Sequence, residues 1–253
     1  MTRFEQRRFP TRLIVVPAAL ALTVPTGARA QVEVGETELA AVRVDASRAA
    51  TLLESAWGDV PRAAGAPGPV VAYSDSQPTG CGMLGPENAF YCEHDDAIYY
   101  DEWFVAAIRG MVAQELETDG NQAVFAILAH EWGHRIYTRF RPNAAGIPVL
   151  AELAADCLAG AALGGAGQQV PLGAEDTAEA ELAIRLLGDE PDVRAGQLAA
   201  RWSARPAPGD PAARGRAQRG LTRHGDADER VRSFRRGLRH GAGKCMKELG
   251  QAR

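Results

Sequence analysis

Residues 130–134 read His-Glu-Trp-Gly-His, and residues 152–156, which begin eighteen positions after the first stretch ends, read Glu-Leu-Ala-Ala-Asp. Side chains four residues apart stack on one face of a helix, so His130 and His134 can direct two imidazole nitrogens at one metal ion. Glu152, on a second helix, is the expected third ligand. Zinc uses two histidines and one carboxylate where a fourth position stays open for water. The spacing therefore predicts one zinc ion per chain, held between two helices.

Two further carboxylates belong to this pattern. Glu131 lies beside the expected ion and is the candidate base for a bound water, whose pKa zinc lowers to about 7. Asp156 lies one turn beyond Glu152. It is the candidate partner for the second ring nitrogen of His130 or His134, because metal-bound histidines commonly donate that N–H to a carboxylate. The alternative is a helix with two histidines and unrelated carboxylates, but charged residues buried in an Ala/Leu-rich helix need a partner.

The sequence around both motifs favours helices. Residues 122–136 carry apolar side chains at helical spacing after a candidate N-cap, Asn121, and residues 149–163 form the second expected helix. Proline and glycine between them end one helix and start the next, which leaves a short connection that can fold Glu152 back towards the histidines.

The remaining sequence predicts a mostly helical α+β chain with a small sheet. Further helices are expected at 45–57, 101–115, 176–187, 194–204 and 226–249. Short strands are expected at 70–73 and 97–100, on either side of a hairpin loop at 82–91. Residues 61–69 read as a Pro/Gly linker and residues 205–219 as a mobile loop, so the expected organisation is an N-terminal helix and linker over 31–69 and one domain over 70–250. The arginines of the last helix are interpreted as a solvated face.

Residues 1–30 have the features of an export signal. A basic start precedes an apolar run at 13–24, and Ala28-Arg29-Ala30 fits cleavage after small residues, so the mature chain is expected to begin at Gln31. The apolar run is too short for a membrane span, which needs about 18–20 residues. The expected location is extracytoplasmic, reached by either the general or the twin-arginine export route. No stable membrane insertion is expected after the signal is cleaved.

Four cysteines fit an oxidising compartment. Cys81, Cys92, Cys157 and Cys245 allow three pairings, of which Cys81 with Cys92 and Cys157 with Cys245 are favoured: the first closes a hairpin loop, and the second ties the last helix to the helix of Glu152. Cys157 is a poor metal ligand, because it lies about 140° round the helix from Glu152. Four reduced, buried thiols are the alternative.

The charge gives no sign of a nucleic-acid partner. The chain carries 28 basic and 32 acidic residues, and removal of residues 1–30, with five Arg and one Glu, changes the net charge from −4 to −8. Without a basic patch, binding to nucleic acid is not expected.

Several segments resemble one known family when taken in chain order. The first group is Cys81-Gly82, Gly85-Pro86 and Phe90-Tyr91-Cys92, followed by Asp95 or Asp96 ahead of Ile98-Tyr99 and Asp101. The later segments are 129–134, 152–160 and 224–237. Together they resemble the neutral zinc metallopeptidases of bacteria, within the gluzincin group of HExxH peptidases, over residues 70–250. The resemblance implies a zincin-like α+β fold, zinc ligands at His130, His134 and Glu152, a catalytic Glu131, and the two disulfides favoured above. The connection from His134 to Glu152 is short for this family, and residues 162–219 match little of it.

The expected function is therefore a secreted zinc metalloendopeptidase that acts on a peptide or protein substrate. His224 is the candidate second donor to the oxyanion, because it precedes a helix start and belongs to the C-terminal segment of the resemblance. Tyr99, Tyr100 and Tyr137 are alternatives for that part, whereas His94 and His240 are expected at the surface. An extended substrate is expected to pair with an edge strand at 97–100.

Two other classes of protein compete with the enzyme. One is a catalytically silent zinc-binding or partner-binding protein of the cell envelope. The base at Glu131 argues against it, because such a protein does not need one. The other is an envelope protein with a structural zinc, a kind of site that usually has four protein ligands rather than three.

Overall fold

Helices predominate over a small sheet, as the sequence predicts. The structure is a computed structural model that describes residues 34–56, 68–140, 148–168, 170–188 and 224–251. Within these ranges the helices are α1 (Glu36–Ala56), α2 (Glu102–Leu116), α3 (Asn121–Phe140), α4 (Pro148–Ala166), α5 (Ala174–Leu186), α6 (Ala227–His240) and α7 (Ala242–Gln251). The strands are β1 (Val70–Tyr73), β2 (Gln77–Thr79), β3 (Gly82–Leu84), β4 (Ala89–Cys92) and β5 (Ala97–Asp101). The described part of the chain is thus α+β and mostly helical.

Several expected boundaries differ from those observed. The first helix begins at Glu36 rather than at residue 45, and the single helix expected over 226–249 is two helices. Gly241 separates them with a φ of 73°, a left-handed value that helical residues do not adopt and that glycine takes without steric cost. The predicted signal at 1–30, the helix at 194–204, the loop at 205–219 and most of the linker lie outside the described residues.

The three-stranded sheet has the order β1-β5-β4. β1 runs parallel to β5 and β4 runs antiparallel to it, with Tyr91 opposite Ile98. β5 is therefore the central strand, and all five of its residues are buried. The expectation that residues 97–100 form the edge strand is wrong, because partners on both sides take up the backbone groups of β5. The segment expected to be a loop at 82–91 contains β3, which pairs with β2 in a separate hairpin, and most of β4.

Small residues let the two motif helices pack closely. Gly133 of α3 faces the backbone of Ala155 in α4: a Cβ on Gly133 would lie 2.7 Å from both the Cα and the carbonyl oxygen of Ala155. The crossing lies between the two motif histidines in α3 and between Glu152 and Asp156 in α4. The close approach therefore brings both motifs to one place.

α4 is held from its other side by α6. A Cβ on Gly237 would lie 1.7 Å from the carbonyl oxygen of Cys157, and a Cβ on Gly160 would lie 1.9 Å from that of Phe234, so the two helices touch backbone to backbone. Residues Val149–Ala166 are long and apolar enough to cross a membrane by length and composition alone. Here they form a core helix between α3 and α6, where that apolar surface is buried against protein.

A carboxylate from another helix caps the start of α3. The two carboxylate oxygens of Glu179, in α5, accept hydrogen bonds from the backbone N–H groups of Gly120 (3.2 Å) and Gln122 (2.9 Å). Asn121, the predicted N-cap, is instead the first helical residue, and its N–H donates to the Asp119 side chain at 3.1 Å. The free N–H groups at this helix start are thus satisfied partly by a tertiary contact.

Both favoured disulfides are present. Cys81–Cys92, the strand disulfide, links the β2–β3 turn to the end of β4. Cys157–Cys245, the helix disulfide, links α4 to α7. Disulfides of this kind are typical of proteins in an oxidising, extracytoplasmic environment.

Candidate metal centre

The three predicted ligands lie together. The Nε2 atoms of His130 and His134 are 3.0 Å apart, and two oxygens of Glu152 lie 3.3 Å from them, one from each histidine. A tetrahedral zinc ion with bonds of about 2.0–2.1 Å separates its ligand atoms by about 3.3 Å. The two nitrogens and one Glu152 oxygen are therefore close enough together to bind one zinc ion, which leaves a fourth position for water. Two imidazoles and a carboxylate are also the right chemical donors for zinc.

Mutual attraction sets the charges of these ligands. Burial opposes ionisation of Glu152, but its contacts with His130, His134 and His224 outweigh this and hold the pKa of its carboxyl well below the usual value. Burial and Arg230 lower the pKa of His130, yet Asp156 and Glu152 together raise it to about 9. Without metal, His130 therefore carries a proton at neutral pH, which a metal ion has to displace.

Asp156 selects one of the two histidines. Its Oδ1 lies 2.9 Å from Nδ1 of His130, and its side chain is fully buried. Because the sequence left His130 and His134 as equal alternatives, this contact decides between them. A hydrogen bond from Nδ1–H to the carboxylate leaves the Nε2 lone pair of His130 directed at the candidate metal position.

Arg230 completes this buried cluster. Its Nε and Nη2 atoms donate to the two oxygens of Asp156, at 2.8 and 2.9 Å, and its Nη1 donates to the carbonyl of Leu187 at 2.6 Å. Only 1% of Arg230 is exposed, so the interpretation of the α6 arginines as a solvated face is wrong for this residue. One signal was available in the sequence: Arg230 lies one position before Val231 and one turn before Phe234, which places it on the core side of the helix.

Glu131 lies beside the ligands and is 7% exposed. One of its oxygens, Oε2, accepts a hydrogen bond from the backbone N–H of Tyr91 at 2.9 Å. Burial raises the pKa of the Glu131 carboxyl above its usual value, while the histidines oppose this. The sequence did not predict this N–H, because β4 was assigned to a loop.

His224 also lies at the ligand group, where its Nδ1 is 3.2 Å from a Glu152 oxygen. Its side chain is 40% exposed, which leaves the rest of the ring accessible from solvent. Tyr99, one of the alternative donors, already gives its hydroxyl to Asp95 at 2.9 Å, and Tyr100 and Tyr137 are buried. His94 and His240 are exposed, as expected.

Comparison with known proteins gives one match. Neither the curated proteins nor the solved structures include a significant relative of this chain. The family described as "Putative neutral zinc metallopeptidase" matches residues 26–247 of the 253, which include both motif helices and both disulfides. The family resemblance read from the sequence motifs is thereby confirmed: the chain belongs to this family of neutral zinc metallopeptidases.

Proposed function

We propose that the protein is a secreted zinc-dependent metalloendopeptidase, in which His130, His134 and Glu152 hold the metal and Glu131 is the general base. The observation that carries this proposal is the convergence of the three residues: the two histidine Nε2 atoms are 3.0 Å apart, each lies 3.3 Å from a Glu152 oxygen, and the buried Glu131 carboxylate lies beside them. A structural zinc would need a fourth protein ligand. The described residues offer three in the ligand group.

The chemistry divides between the metal and the chain. When bound, zinc supplies a water of lowered pKa and an electrophile for the scissile carbonyl. Glu131 takes a proton from the attacking water and delivers it to the leaving amine. Since the Tyr91 N–H occupies Oε2, the other carboxylate oxygen, Oε1, is the one left for this transfer.

Asp156 and Arg230 support the ligands from behind. The Asp156 carboxylate holds the His130 ring in the tautomer that presents Nε2 to the metal. The Arg230 guanidinium neutralises that carboxylate through two hydrogen bonds. Asp156 thus orients the ligand without leaving an unpaired buried charge.

The edge strand next to Glu131 is the place we assign to the substrate backbone. Among the described residues, no strand pairs with the outer side of β4. Asn88 accepts a hydrogen bond from the Asp101 N–H at 2.8 Å, so the alternation of an antiparallel pair turns the backbone groups of Ala89 and Tyr91 outwards. The Tyr91 N–H is held by Glu131, so an extended peptide would pair with the backbone groups of Ala89 and with the carbonyl of Tyr91, and would pass beside Glu131. β4 therefore replaces 97–100 in this role.

His224 is the donor that we assign to the oxyanion formed on the substrate carbonyl. Its Nδ1 is turned towards Glu152, which leaves Nε2 as the free ring nitrogen. A donor that faces the place where negative charge develops is worth about 10²–10³-fold in kcat in other acyl-transfer enzymes.

The location we propose is extracytoplasmic, supported by the two disulfides and by the signal features of residues 1–30.

The test is cleavage of a diverse peptide library by the mature, oxidised, zinc-loaded protein. Glu131→Gln is the test variant and Glu54→Gln, on the exposed face of α1, is the matched control. We expect cleavage by the wild type and Glu54→Gln, loss by at least about 100-fold in Glu131→Gln and after chelation, and equal zinc affinity in all three proteins. One bound zinc without any cleavage would contradict the proposal and favour a silent zinc-binding or partner-binding protein.

A further inference from the structure

The turn between β4 and β5 is joined to α3 by a cluster of charged side chains. Arg135 donates to both oxygens of Asp96, from Nε at 2.7 Å and from Nη2 at 3.0 Å. Arg139 adds a third hydrogen bond to Asp96, at 2.6 Å. Burial raises the pKa of Asp96, but these contacts outweigh it and bring the value to about 2, so the carboxylate is charged at neutral pH. We call Asp96, Arg135 and Arg139 the turn clamp.

The turn clamp lies on the same face of α3 as the candidate base. Glu131, Arg135 and Arg139 are spaced four residues apart, so their side chains follow one another along one side of the helix. All three reach towards β4 and its turn. Arg135 is 2% exposed and Asp96 is 34% exposed, so the pair is shielded from water on the side of the arginine.

Tyr91 joins the clamp to the base. Its backbone N–H donates to Oε2 of Glu131, and its hydroxyl donates to Oδ1 of Asp96, both at 2.9 Å. One residue of β4 therefore contacts α3 at two points, directly through Glu131 and indirectly through Asp96. β4 has only four residues and one neighbouring strand, so pairing with β5 alone would hold it weakly against α3.

We propose that Asp96, Arg135 and Tyr91 are positioning residues, which fix β4 against α3 so that the Tyr91 N–H holds one oxygen of Glu131 and leaves the other aimed at the reacting water. This inference rests on the proposed function of Glu131. The clamp acts on the direction of the carboxylate, because a carboxylate without the N–H bond can rotate about its side-chain torsions. A shift of about 1 Å in a reacting group can cost on the order of 100-fold in rate.

The neighbouring aspartate provides a matched control. Asp95 accepts hydrogen bonds from the N–H of Gly80 at 2.8 Å and from the hydroxyl of Tyr99 at 2.9 Å. It thus makes a similar tyrosine contact in the same turn, but its partners lie in the sheet region and not on α3. Asp95→Asn and Asp96→Asn remove the same charge from adjacent positions, and only the second loosens the clamp.

The first measurement is amide hydrogen exchange in the zinc-loaded protein. The chain has five tyrosines, so selective ¹⁵N-tyrosine labelling gives a simple spectrum in which Tyr91→Phe identifies the Tyr91 signal. We expect the Tyr91 amide to exchange at least about 10-fold faster in Asp96→Asn than in wild type, and within about threefold of wild type in Asp95→Asn. Arg135→Lys keeps the charge but not the two-point contact, and should give a smaller increase.

The second measurement is peptide cleavage. We expect Asp96→Asn to lower kcat by about 10- to 100-fold, with KM and zinc affinity within about threefold of wild type, and Asp95→Asn to change none of these. If the wild type cleaves nothing, the proposed function fails, and the exchange of the Tyr91 amide still decides whether the clamp exists. If Asp96→Asn folds, an unchanged exchange rate of its Tyr91 amide would overturn the inference. If Asp96→Asn does not fold, an unchanged rate in Arg135→Lys would overturn it. So would an active Asp96→Asn enzyme with the kcat of Asp95→Asn.

Discussion

Gly133→Ala tests whether the closeness of two helices sets the metal site. The new Cβ would lie 2.7 Å from the Cα and oxygen of Ala155 and 3.1 Å from its carbonyl carbon. Carbon atoms in contact keep about 3.5–4.0 Å. Because the atoms that are hit belong to the backbone, no side chain can turn away. α3 and α4 must therefore separate by about 1 Å at this crossing.

That separation exceeds what a zinc site tolerates. The ligands come from both helices, with Glu152 at 3.3 Å from each histidine Nε2. Ligand distances in zinc sites hold to within about 0.2 Å, so a shift of about 1 Å should weaken zinc binding by at least about 100-fold, or about 2.7 kcal/mol. Overpacking costs about 1–3 kcal/mol of stability, while replacing a helical glycine returns up to about 1 kcal/mol. The metal-free variant should therefore stay folded.

The assay is competition for zinc with a chromophoric chelator, accompanied by urea denaturation of the metal-free protein. Gly243→Ala is the matched control, because a Cβ at this position in α7 has no atom within 4 Å. We expect the control to bind zinc like the wild type and to be equally or more stable. A folded Gly133→Ala protein that binds zinc within about threefold of wild type would refute the claim that this crossing sets the ligand geometry.

Three further predictions concern the buried charges and the disulfides. Arg230→Met should lower the free energy of unfolding by about 3 kcal/mol, because it removes two charge-assisted hydrogen bonds from the buried Asp156 carboxylate and leaves it with the His130 ring; a loss below about 1 kcal/mol in urea denaturation would argue against that pairing. Zinc binding at pH 7 should release about one proton, because the pKa of His130 is raised to about 9 without metal, so zinc affinity should rise with pH up to that value. Calorimetry in buffers of different ionisation enthalpy measures this, and a heat that is independent of the buffer would contradict it. Replacing both cysteines of the helix disulfide with serine should cost about 4.5 kcal/mol, against about 3 kcal/mol for the strand disulfide, because its loop of 88 residues is longer than that of 11. Denaturant unfolding measures both losses, and a larger loss for the strand disulfide would contradict the argument from loop length.

The helices and the ligand residues could be predicted because they depend on local spacing. His130 and His134 are one turn apart, and so are Glu152 and Asp156, so each pair shares a helix face wherever that helix lies. The expected helices at both motifs agree with α3 and α4 to within a few residues. Predictions failed where a tertiary contact overrides local preference, as at the start of α3, which Glu179 caps from another helix.

Contacts between residues that are far apart in the sequence account for the features of the site that could not be predicted. Asp156 bonds His130 across 26 positions, Arg230 reaches Asp156 across 74, and the Tyr91 N–H meets Glu131 across 40. The same holds for the role of β4, since a strand is an edge only by virtue of which other strands pair beside it.

The sequence by itself thus determined the residue types and the helix faces that can hold zinc, the family, and the favoured cysteine pairs. Only the tertiary structure decided which histidine Asp156 orients, which buried cation balances Asp156, and which backbone N–H restrains Glu131. The physical reason is that helical periodicity repeats every few residues and can be read along the chain. The distance between two helices, or between a helix and a strand, is instead set by the side chains packed between them.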